Sequence, residues 1–409
     1  MKILIIGNVW PEPNSSAAGK RMTQLIDLFS NFGEIHFACA NQLTGNEIDF
    51  QKFGIQPHFI ELNNDTVDQF FVELNPAIVV FDRFLTEEQY GWRIIEQCPN
   101  ALRILDTEDL HFLRRTRHQF VKKNNTVANK LEALDFQNND TLRELASIYR
   151  CDVSLIISPF EMELLTTEMQ VPEELLYYLP IFSSSISETP TFEAKKDCLF
   201  IGNYRHEPNA DAIRVLLERG IWKNVSKALP EARLTVVGAY QNNTISQYCD
   251  MSIKVKIAGQ IAAISEVYAP IKISLAPLRF GAGIKGKILE TMEQGVPFIT
   301  TSIGAEGLFL DASWDACIAD DWQEFEQKAI ALYTDKEKWL HFQSKGWEHL
   351  QRYFSKQKHE QPFIDFVSNQ LKNYAANRKK RYFSQLVQHH SLMSTRYLSK
   401  WIMEKNKNN

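Results

Sequence analysis

One stretch of the chain decides its fold. It runs from Ala276 to Gly307 and reads APLRFGAGIKGKILETMEQGVPFITTSIGAEG. The apolar residues Ile271–Ala276 that lead into it predict a buried strand. The pattern then predicts a glycine-containing loop, a helix from about Lys287 and a second strand over Phe298–Thr301. A unit of strand, loop, helix and strand is the building block of parallel α/β sheets.

The loop of this unit is a predicted anion site. Gly281, Gly283 and Gly286 let the backbone approach a ligand closely. The N-terminus of the following helix presents unpaired N–H groups and a partial positive charge. Lys285 and Lys287 add side-chain charge at the same place, so we expect a phosphate group here.

Lys287 and Glu290 lie three residues apart, on nearly the same face of the predicted helix. The lysine suits phosphate oxygens, whereas the carboxylate can accept from two neighbouring sugar hydroxyls. The spacing is equally consistent with a solvated ion pair on the helix surface.

The segment GIKGKILETMEQGVPFITT resembles the nucleotide-sugar-binding segment of the group 1 (GT4-like) retaining glycosyltransferases. In that family two glutamates are separated by seven residues; Glu290 matches the second, and Ala282 stands at the position of the first. The resemblance implies that Glu290 binds the donor. The first glutamate contacts donor-sugar hydroxyls in the family, so we expect the backbone N–H groups of Gly281–Gly283 to replace it.

The composition is that of a soluble protein with two domains. The chain of 409 residues is long enough for two, and its formal charge of −5 gives no reason to expect nucleic acid. Six cysteines without a C-x-x-C spacing predict buried free thiols and a reducing compartment. The apolar run of MKILIIG is too short for a signal peptide, and no apolar run of ~18 residues is present.

The first half of the chain alternates strands with helices, which predicts a parallel sheet covered on both faces. After the N-terminal strand, the predicted strands are Ile35–Cys39, His58–Leu62, Ile78–Asp82, Arg103–Asp106, Val153–Ser158 and Leu176–Leu179. The loop that ends at Gly19 lacks the G-x-G-x-x-G dinucleotide fingerprint. Gly19 could still bring backbone amides to a donor phosphate, or it could only let the following helix start close to the sheet.

A second informative stretch is DTEDLH, Asp106–His111, which places three carboxylates and one histidine at the end of a predicted strand. Side chains at this end of a parallel sheet face the ligand crevice. DTEDLHFLR also resembles the D-x-x-D-L-H-x-x-R segment of group 1 glycosyltransferases, which implies that His111 lies beside the donor sugar. Without that resemblance, a structural or solvated histidine is the more frequent outcome.

Six Lys and Arg residues between Phe112 and Lys130, with no acid among them, predict a solvated helix face or a surface for an anionic acceptor or lipid.

The resemblance implies the GT-B architecture, in which two Rossmann-like α/β domains face a cleft. The polar segment 183–196 predicts a linker. It separates an acceptor-side domain, 1–182, from a nucleotide-sugar-binding domain, 197–355, and a basic helical tail follows over 356–409.

The second domain supplies further candidates. Gly202 and Asn203 lie in a loop after a predicted strand, and Arg205 corresponds to the position where family members place a cation on the donor diphosphate. Glu306 follows another strand and either contacts the nucleotide or sugar or belongs to a simple turn. No spaced pair of aspartates fits a nucleotide-bound metal, so we expect neither a metal nor another cofactor.

The tail from Lys372 to Asn409 holds nine Lys or Arg residues against one acid, Glu404. A helical wheel places an apolar side along it, formed by Phe383, Leu386, Val387, Met393, Tyr397 and Trp401. This pattern predicts an interfacial helix on an anionic membrane surface. A solvated tail, or a helix packed on the first domain, is the alternative.

These features predict a cytoplasmic enzyme, peripheral on the inner face of the membrane if the tail binds there, that works in cell-surface polysaccharide biosynthesis. It would move a sugar, with retention, from a nucleotide-diphosphate sugar to a glycan, lipid-linked or protein-linked acceptor. Arg205, Lys287 and helix N-termini would stabilise the departing diphosphate, and His111 would act beside the sugar. The alternatives are a nucleotide-sugar epimerase of the same architecture and a non-catalytic nucleotide-sugar-binding subunit.

Overall fold

The computed structural model describes residues 1–183, 191–240, 247, 252–259 and 264–407. Most of the predicted linker, residues 184–190, lies outside the described residues, as do Cys249 and the last two residues of the predicted tail. The five described cysteines are free and buried, as predicted.

Seven parallel strands form the first sheet in the order β3-β2-β1-β4-β5-β6-β7. They are β1 (Lys2–Gly7), β2 (Glu34–Cys39), β3 (Ile55–Phe59), β4 (Ile78–Asp82), β5 (Leu102–Asp106), β6 (Val153–Ile156) and β7 (Leu176–Tyr178). The edge strand β3 begins three residues before the predicted one and contains Pro57. An edge strand tolerates proline because it has a side without a ladder partner.

The helices of the first domain cover both faces of this sheet. They are α1 (Ala17–Ser30), α2 (Thr66–Leu74), α3 (Arg83–Gln97), α4 (His111–Asn124), α5 (Asn139–Arg150) and α6 (Pro159–Glu163), with a π-helical turn at Leu164–Glu168 and 3-10 turns at Leu131–Ala133 and Glu173–Leu175. Successive residues of β1 enter opposite cores, Ile3 with Phe29 on one face and Leu4 with Phe71 on the other. This two-sided burial explains the continuous apolar runs of the strands.

The second sheet has five parallel strands in the order β10-β9-β8-β11-β12. They are β8 (Asp197–Ile201), β9 (Leu234–Val237), β10 (Val255–Ala258), β11 (Ile271–Ala276) and β12 (Phe298–Thr300). Its helices are α7 (Glu207–Glu218), α8 (Ile221–Ala228), α9 (Ile264–Tyr268), α10 (Gly286–Glu293), α11 (Ser302–Ala305), α12 (Trp322–Thr334) and α13 (Lys336–Phe354), with 3-10 turns at Phe192–Ala194 and Ala312–Cys317. The predicted division into two parallel α/β domains is therefore present in the structure.

Two long helices, α14 (Lys356–Lys380) and α15 (Tyr382–Lys407), return from the second domain to the first. The ring of Phe363 in α14 lies 5.4 Å from that of Phe29, and Arg378 binds both carboxylate oxygens of Asp152 at 2.7 and 2.5 Å. Among the described ranges, no helix combines the length and apolarity needed to cross a bilayer.

Helix α15 packs on α3 and α5. Ser384, Leu392 and Ser399 are buried, and Arg396 forms an ion pair with Glu96 at 2.8 Å. Of the apolar side predicted for this helix, Phe383, Leu386, Tyr397 and Trp401 are 54 to 61% exposed, whereas Val387 and Met393 are half-buried. The tail is thus both packed on the first domain and apolar on its outer side.

Candidate active site

Each sheet has a switch point, where the strand order reverses. It lies between β1 and β4 in the first sheet and between β8 and β11 in the second. Open parallel sheets bind ligands outside the carboxyl ends of their strands at such points. A cavity of about 490 Å³ lies here, and we call it the large cavity. Its walls come from both domains, and it is lined among others by Ala17, Ala18, Glu108, His111, Gly202, Asn203, Gly281, Ala282, Lys287 and Glu290.

The N-terminus of α10 opens onto the large cavity. No side chain caps its first turn, so its backbone N–H groups are placed to bind an anion. Lys287 lies in this turn; its ammonium group bonds the side-chain oxygen of Asn209 and lies 4.7 Å from the centre of the Phe200 ring. Burial lowers the pKa of Lys287 to about 7.

Glu290 lines the same cavity one turn later. Tyr268 donates its hydroxyl to Oε1 of Glu290 at 3.2 Å, and burial raises the pKa of this carboxyl. Lys287 and Glu290 therefore both border the cavity rather than forming a pair on the helix surface, and the structure brings these two predicted residues together.

The glycine loop before α10 is held against the first domain. The Gly283 amide donates to Oε1 of Glu161 at 2.8 Å, so one of the three backbone N–H groups expected to replace the first family glutamate is already bonded. Gly283 has a φ of +62°, and a Cβ on it would lie 2.8 Å from Cβ of Asp109. Ala282 borders the cavity and also packs into the first-domain core.

Glu306 does not border the large cavity. Its two carboxylate oxygens accept from the Arg117 guanidinium of α4 at 2.7 and 2.6 Å, and Arg117 also donates to the Gly281 carbonyl at 2.8 Å. The structure thus places Glu306 in an ion pair between the domains, whereas the sequence suggested a nucleotide or sugar contact or a turn.

His111 begins α4 and borders the large cavity from the first domain. Its ring packs edge-on against Phe84 at 5.4 Å, and Nε2 lies 3.6 Å from Oδ1 of Asp109. Burial lowers the pKa of His111 to about 3, so the imidazole is neutral at physiological pH. The buried carboxylate of Glu144 accepts from the His111 amide at 3.1 Å and fixes the start of the helix.

Three arginines of the predicted basic run are paired within the protein. Arg114 pairs with Asp109, Arg115 with Asp140 and Arg117 with Glu306. Burial alone would raise the pKa of Asp109, but Arg114 and His111 hold it below its usual range. The three lysines of the run, Lys122, Lys123 and Lys130, are exposed.

Gly19 lies in the first turn of α1. Its amide donates to the N-cap hydroxyl of Ser16 at 3.0 Å, and a Cβ on it would lie 2.2 Å from the Glu12 carbonyl. These contacts fit a close helix start. Ala17 and Ala18, rather than Gly19, border the large cavity.

Gly202 borders the large cavity at the end of β8, and Asn203 borders both this cavity and a neighbouring one. Arg205 lies only at the neighbouring cavity, where its guanidinium carbon is 4.0 Å from the centre of the Tyr240 ring. The structure therefore separates Arg205 from Lys287, although the sequence placed both on one diphosphate.

Comparison with known proteins identifies the family of the second domain. Residues 195–335 match the family described as "Glycosyl transferases group 1". This match covers most of the second domain. In a comparison with curated proteins, no sequence matches the chain.

Solved structures share the fold at low sequence identity. The chain is similar to sucrose-phosphate synthase from Thermosynechococcus elongatus, with a TM-score of 0.66, 13% identity, and coverage of 90% of this chain and 98% of that one. It is also similar to HepE from Anabaena in complex with UDP and glucose, with a TM-score of 0.65, 11% identity, and coverage of 90% and 100%. These likenesses confirm the predicted GT-B fold.

A third similar structure is larger than this protein. TarM from S. aureus, solved with UDP and alpha-GlcNAc-glycerol, has a TM-score of 0.57 and 12% identity; the match covers 73% of this chain and 57% of TarM.

The sequence analysis missed several residues that border the large cavity. Arg83 and Glu108 border the large cavity just after β4 and β5, and Glu108 lies in the DTEDLH stretch that the sequence analysis singled out. Asn209 also borders the cavity; its partner Lys287 lies on another element, so the sequence carries no signal for the role of Asn209. Lys285, which the sequence analysis placed at the predicted anion site, borders the cavity as well.

In the part of the chain that the structure describes, no group of three or more His, Cys, Asp or Glu side chains is arranged to hold a metal ion. Independence from metal remains a prediction.

Proposed function

We propose that this protein is a glycosyltransferase that moves a sugar from a nucleotide-diphosphate sugar, with retention, to a glycan, lipid-linked or protein-linked acceptor. The observation that carries the proposal is the large cavity: an uncapped helix N-terminus, Lys287 and Glu290 face His111 across it. The group 1 family match of the second domain supports it.

The donor diphosphate belongs at the start of α10. The first turn of α10, with Lys287 in it, borders the large cavity, and so do Ala17 and Ala18 in the first turn of α1. Helix N-termini bind anions through their free N–H groups and partial positive charge. These groups offset the charge that builds up on the diphosphate as the sugar leaves.

The carboxylate of Glu290 would accept from hydroxyls of the ribose or the sugar. Tyr268 bonds Oε1, which leaves Oε2 for the donor. A hydrogen bond to a charged group contributes about 1.5–3 kcal/mol.

His111 would stand beside the anomeric carbon. In the transfer, the acceptor oxygen forms a bond to this carbon while the bond from the carbon to the diphosphate oxygen breaks. The bonding electrons leave with the diphosphate, and the acceptor proton passes to the departing phosphate oxygen on the same face, which gives retention. A neutral imidazole in this place can hydrogen-bond the sugar without adding a charge.

The test is a panel of nucleotide sugars given to the purified chain with and without acceptors, with the products analysed by NMR. A glycosyltransferase yields a glycoside whose anomeric configuration matches that of the donor. Conversion of the donor without an acceptor would identify an epimerase. Donor binding without any turnover would identify a non-catalytic subunit.

We further propose that α15 docks on an anionic membrane. Its outer side presents Tyr397, Trp401 and other apolar residues, and Lys400 and Lys405 of the same helix are exposed; Lys379 and Lys380 are exposed at the end of α14. Amphipathic aromatic and basic residues on one side are typical of helices that lie in the bilayer interface. Each basic residue near an anionic leaflet contributes about 1 kcal/mol before screening.

Vesicle co-sedimentation tests this docking. We expect the full chain to sediment with vesicles containing anionic lipid at low salt and less at high salt. Trp401→Ala combined with Lys400→Gln and Lys405→Gln should lower binding, whereas Lys223→Gln with Lys227→Gln on exposed positions of α8 should not. Equal sedimentation of both variants would refute the proposal.

A further inference from the structure

A second cavity of about 330 Å³ lies beside the large cavity, and we call it the side cavity. Most of its lining comes from the loop after β1, from the loop after β2 and from the ends of β4 and β5. The residues that border both cavities are Ser15, Ser16, Ala18, Arg83, Glu108 and Asn203. The two cavities therefore share one wall, and a ligand in one would lie next to a ligand in the other.

Two buried carboxylate oxygens at the side cavity lack hydrogen-bond partners among the described residues: Oε1 of Glu108 and Oδ1 of Asp82. The side chains are deeply buried, at 7 and 3% exposure. Buried polar atoms in folded proteins nearly always have a partner, so unpartnered atoms at a cavity indicate a ligand that supplies one.

The backbone at this wall is held in an unusual conformation. Arg83 has a φ of +71° and Glu108 a φ of +62°, and neither is a glycine. Non-glycine residues in the left-handed region cluster at binding and catalytic sites, where the surrounding structure holds them in place. Here the two residues follow the ends of the neighbouring strands β4 and β5.

The charges of the side cavity disfavour an anionic ligand. Four acids, Glu12, Glu47, Asp82 and Glu108, stand against two cations, Arg83 and Arg205. The Arg83 guanidinium lies 3.6 Å from Asp82, and that of Arg205 stacks on Tyr240. A phosphate or carboxylate would thus meet more negative than positive charge.

The chemistry of Glu108 also disfavours a cationic ligand. Burial and the neighbouring Asp106 raise its pKa well above the usual range, which favours the uncharged carboxyl. An uncharged carboxyl can both donate and accept a hydrogen bond, as a sugar hydroxyl can. It has no full charge to pair with an ammonium group.

We infer that the side cavity binds the acceptor, that the acceptor end seated there is a neutral polyhydroxylated sugar, and that Glu108 bonds a hydroxyl of it at the shared wall. This inference rests on the proposed function, because it takes the large cavity to be the donor site. Glu108 then touches the acceptor where it meets the donor sugar, and Asp82 bonds a second hydroxyl.

The test separates acceptor binding from donor binding. Isothermal titration with nucleotide sugars measures the donor, and saturation-transfer NMR with neutral methyl glycosides, their phosphorylated counterparts and amino sugars measures the acceptor. We expect Glu108→Leu, which removes both the hydrogen-bond donor and the acceptor, to weaken binding of the neutral glycoside, and to raise its KM, by about tenfold, with donor Kd and melting temperature unchanged. The control Glu163→Leu, at an exposed position, should change neither.

The outcomes are distinct. If the wild type binds no nucleotide sugar, the proposed function fails, and the inference fails with it. If it binds a donor but prefers the phosphorylated or amino sugars, or binds no saccharide, only the inference is overturned. A Glu108→Leu variant with weakened donor binding would place Glu108 in the donor site, and a variant with unchanged glycoside binding would also refute the inference.

Discussion

We expect Lys287 to take up a proton when the donor binds. Its ammonium lies in the large cavity between Asn209 and the Phe200 ring, and burial lowers its pKa to about 7. A diphosphate placed against it favours the charged form, so the pKa rises when the donor binds. In the free protein, about half of Lys287 is protonated at pH 7 and about one eleventh at pH 8.

The pKa of Lys287 in the free protein sets how strongly the donor Kd changes with pH. Only the protonated form is ready to bind the diphosphate, so Kd should rise about fivefold from pH 7 to pH 8 and about tenfold over the next unit, until pH reaches the pKa of the complex. His111 does not contribute to this window, because its pKa of about 3 keeps it neutral throughout. The Lys287→Met variant should bind more weakly at pH 7 and show no such slope.

Isothermal titration in HEPES and in Tris buffer counts the protons directly, because the two buffers differ in ionisation enthalpy. The matched control is Lys195→Met, which removes a buried lysine whose pKa burial lowers to about 8 and which borders neither cavity. It should keep the wild-type slope, with a melting curve to show that it is folded. A flat wild-type profile, or an unchanged slope in Lys287→Met, would refute the reasoning.

Three further outcomes are expected. Glu290→Gln should raise the donor Kd by roughly 10- to 150-fold in titration calorimetry, because it loses charged hydrogen bonds of about 1.5–3 kcal/mol; unchanged affinity would place the donor elsewhere. His111→Ala should lower kcat more than it alters donor affinity, and a normal kcat with a raised KM would make His111 a binding residue only. EDTA should leave activity intact, because Lys287 and two helix N-termini face the diphosphate, and loss of activity that Mg²⁺ restores would contradict this.

The fold was predictable because its signals are local. Each buried strand is a short apolar run. In the structure, two strands have the predicted bounds, Ile78–Asp82 and Ile271–Ala276. Errors arose where one residue overrides the pattern. Pro57 obscures the pattern of β3, and an edge strand tolerates this proline. The Ser16 N-cap starts α1 at Ala17, inside the loop that was predicted to end at Gly19.

The site was only partly predictable because much of it forms between domains. Lys287 and Glu290 lie on one helix, so their spacing alone predicts that both face one way. Arg117 and Glu306 are 189 residues apart, and no periodicity connects them. The family resemblance placed Arg205 on the donor diphosphate, but its stacking on Tyr240 at the side cavity depends on a different strand end.

The missing first glutamate can be understood from the same interdomain contacts. Ala282 packs into the first-domain core, and the carboxylate that bonds the adjacent Gly283 amide comes from Glu161 of the first domain. Arg117 holds the preceding carbonyl of Gly281 from that side as well. The loop that borders the large cavity is therefore fixed by the first domain. Under the proposed function, the contacts of this loop to the donor sugar depend on first-domain residues as well as on the loop sequence.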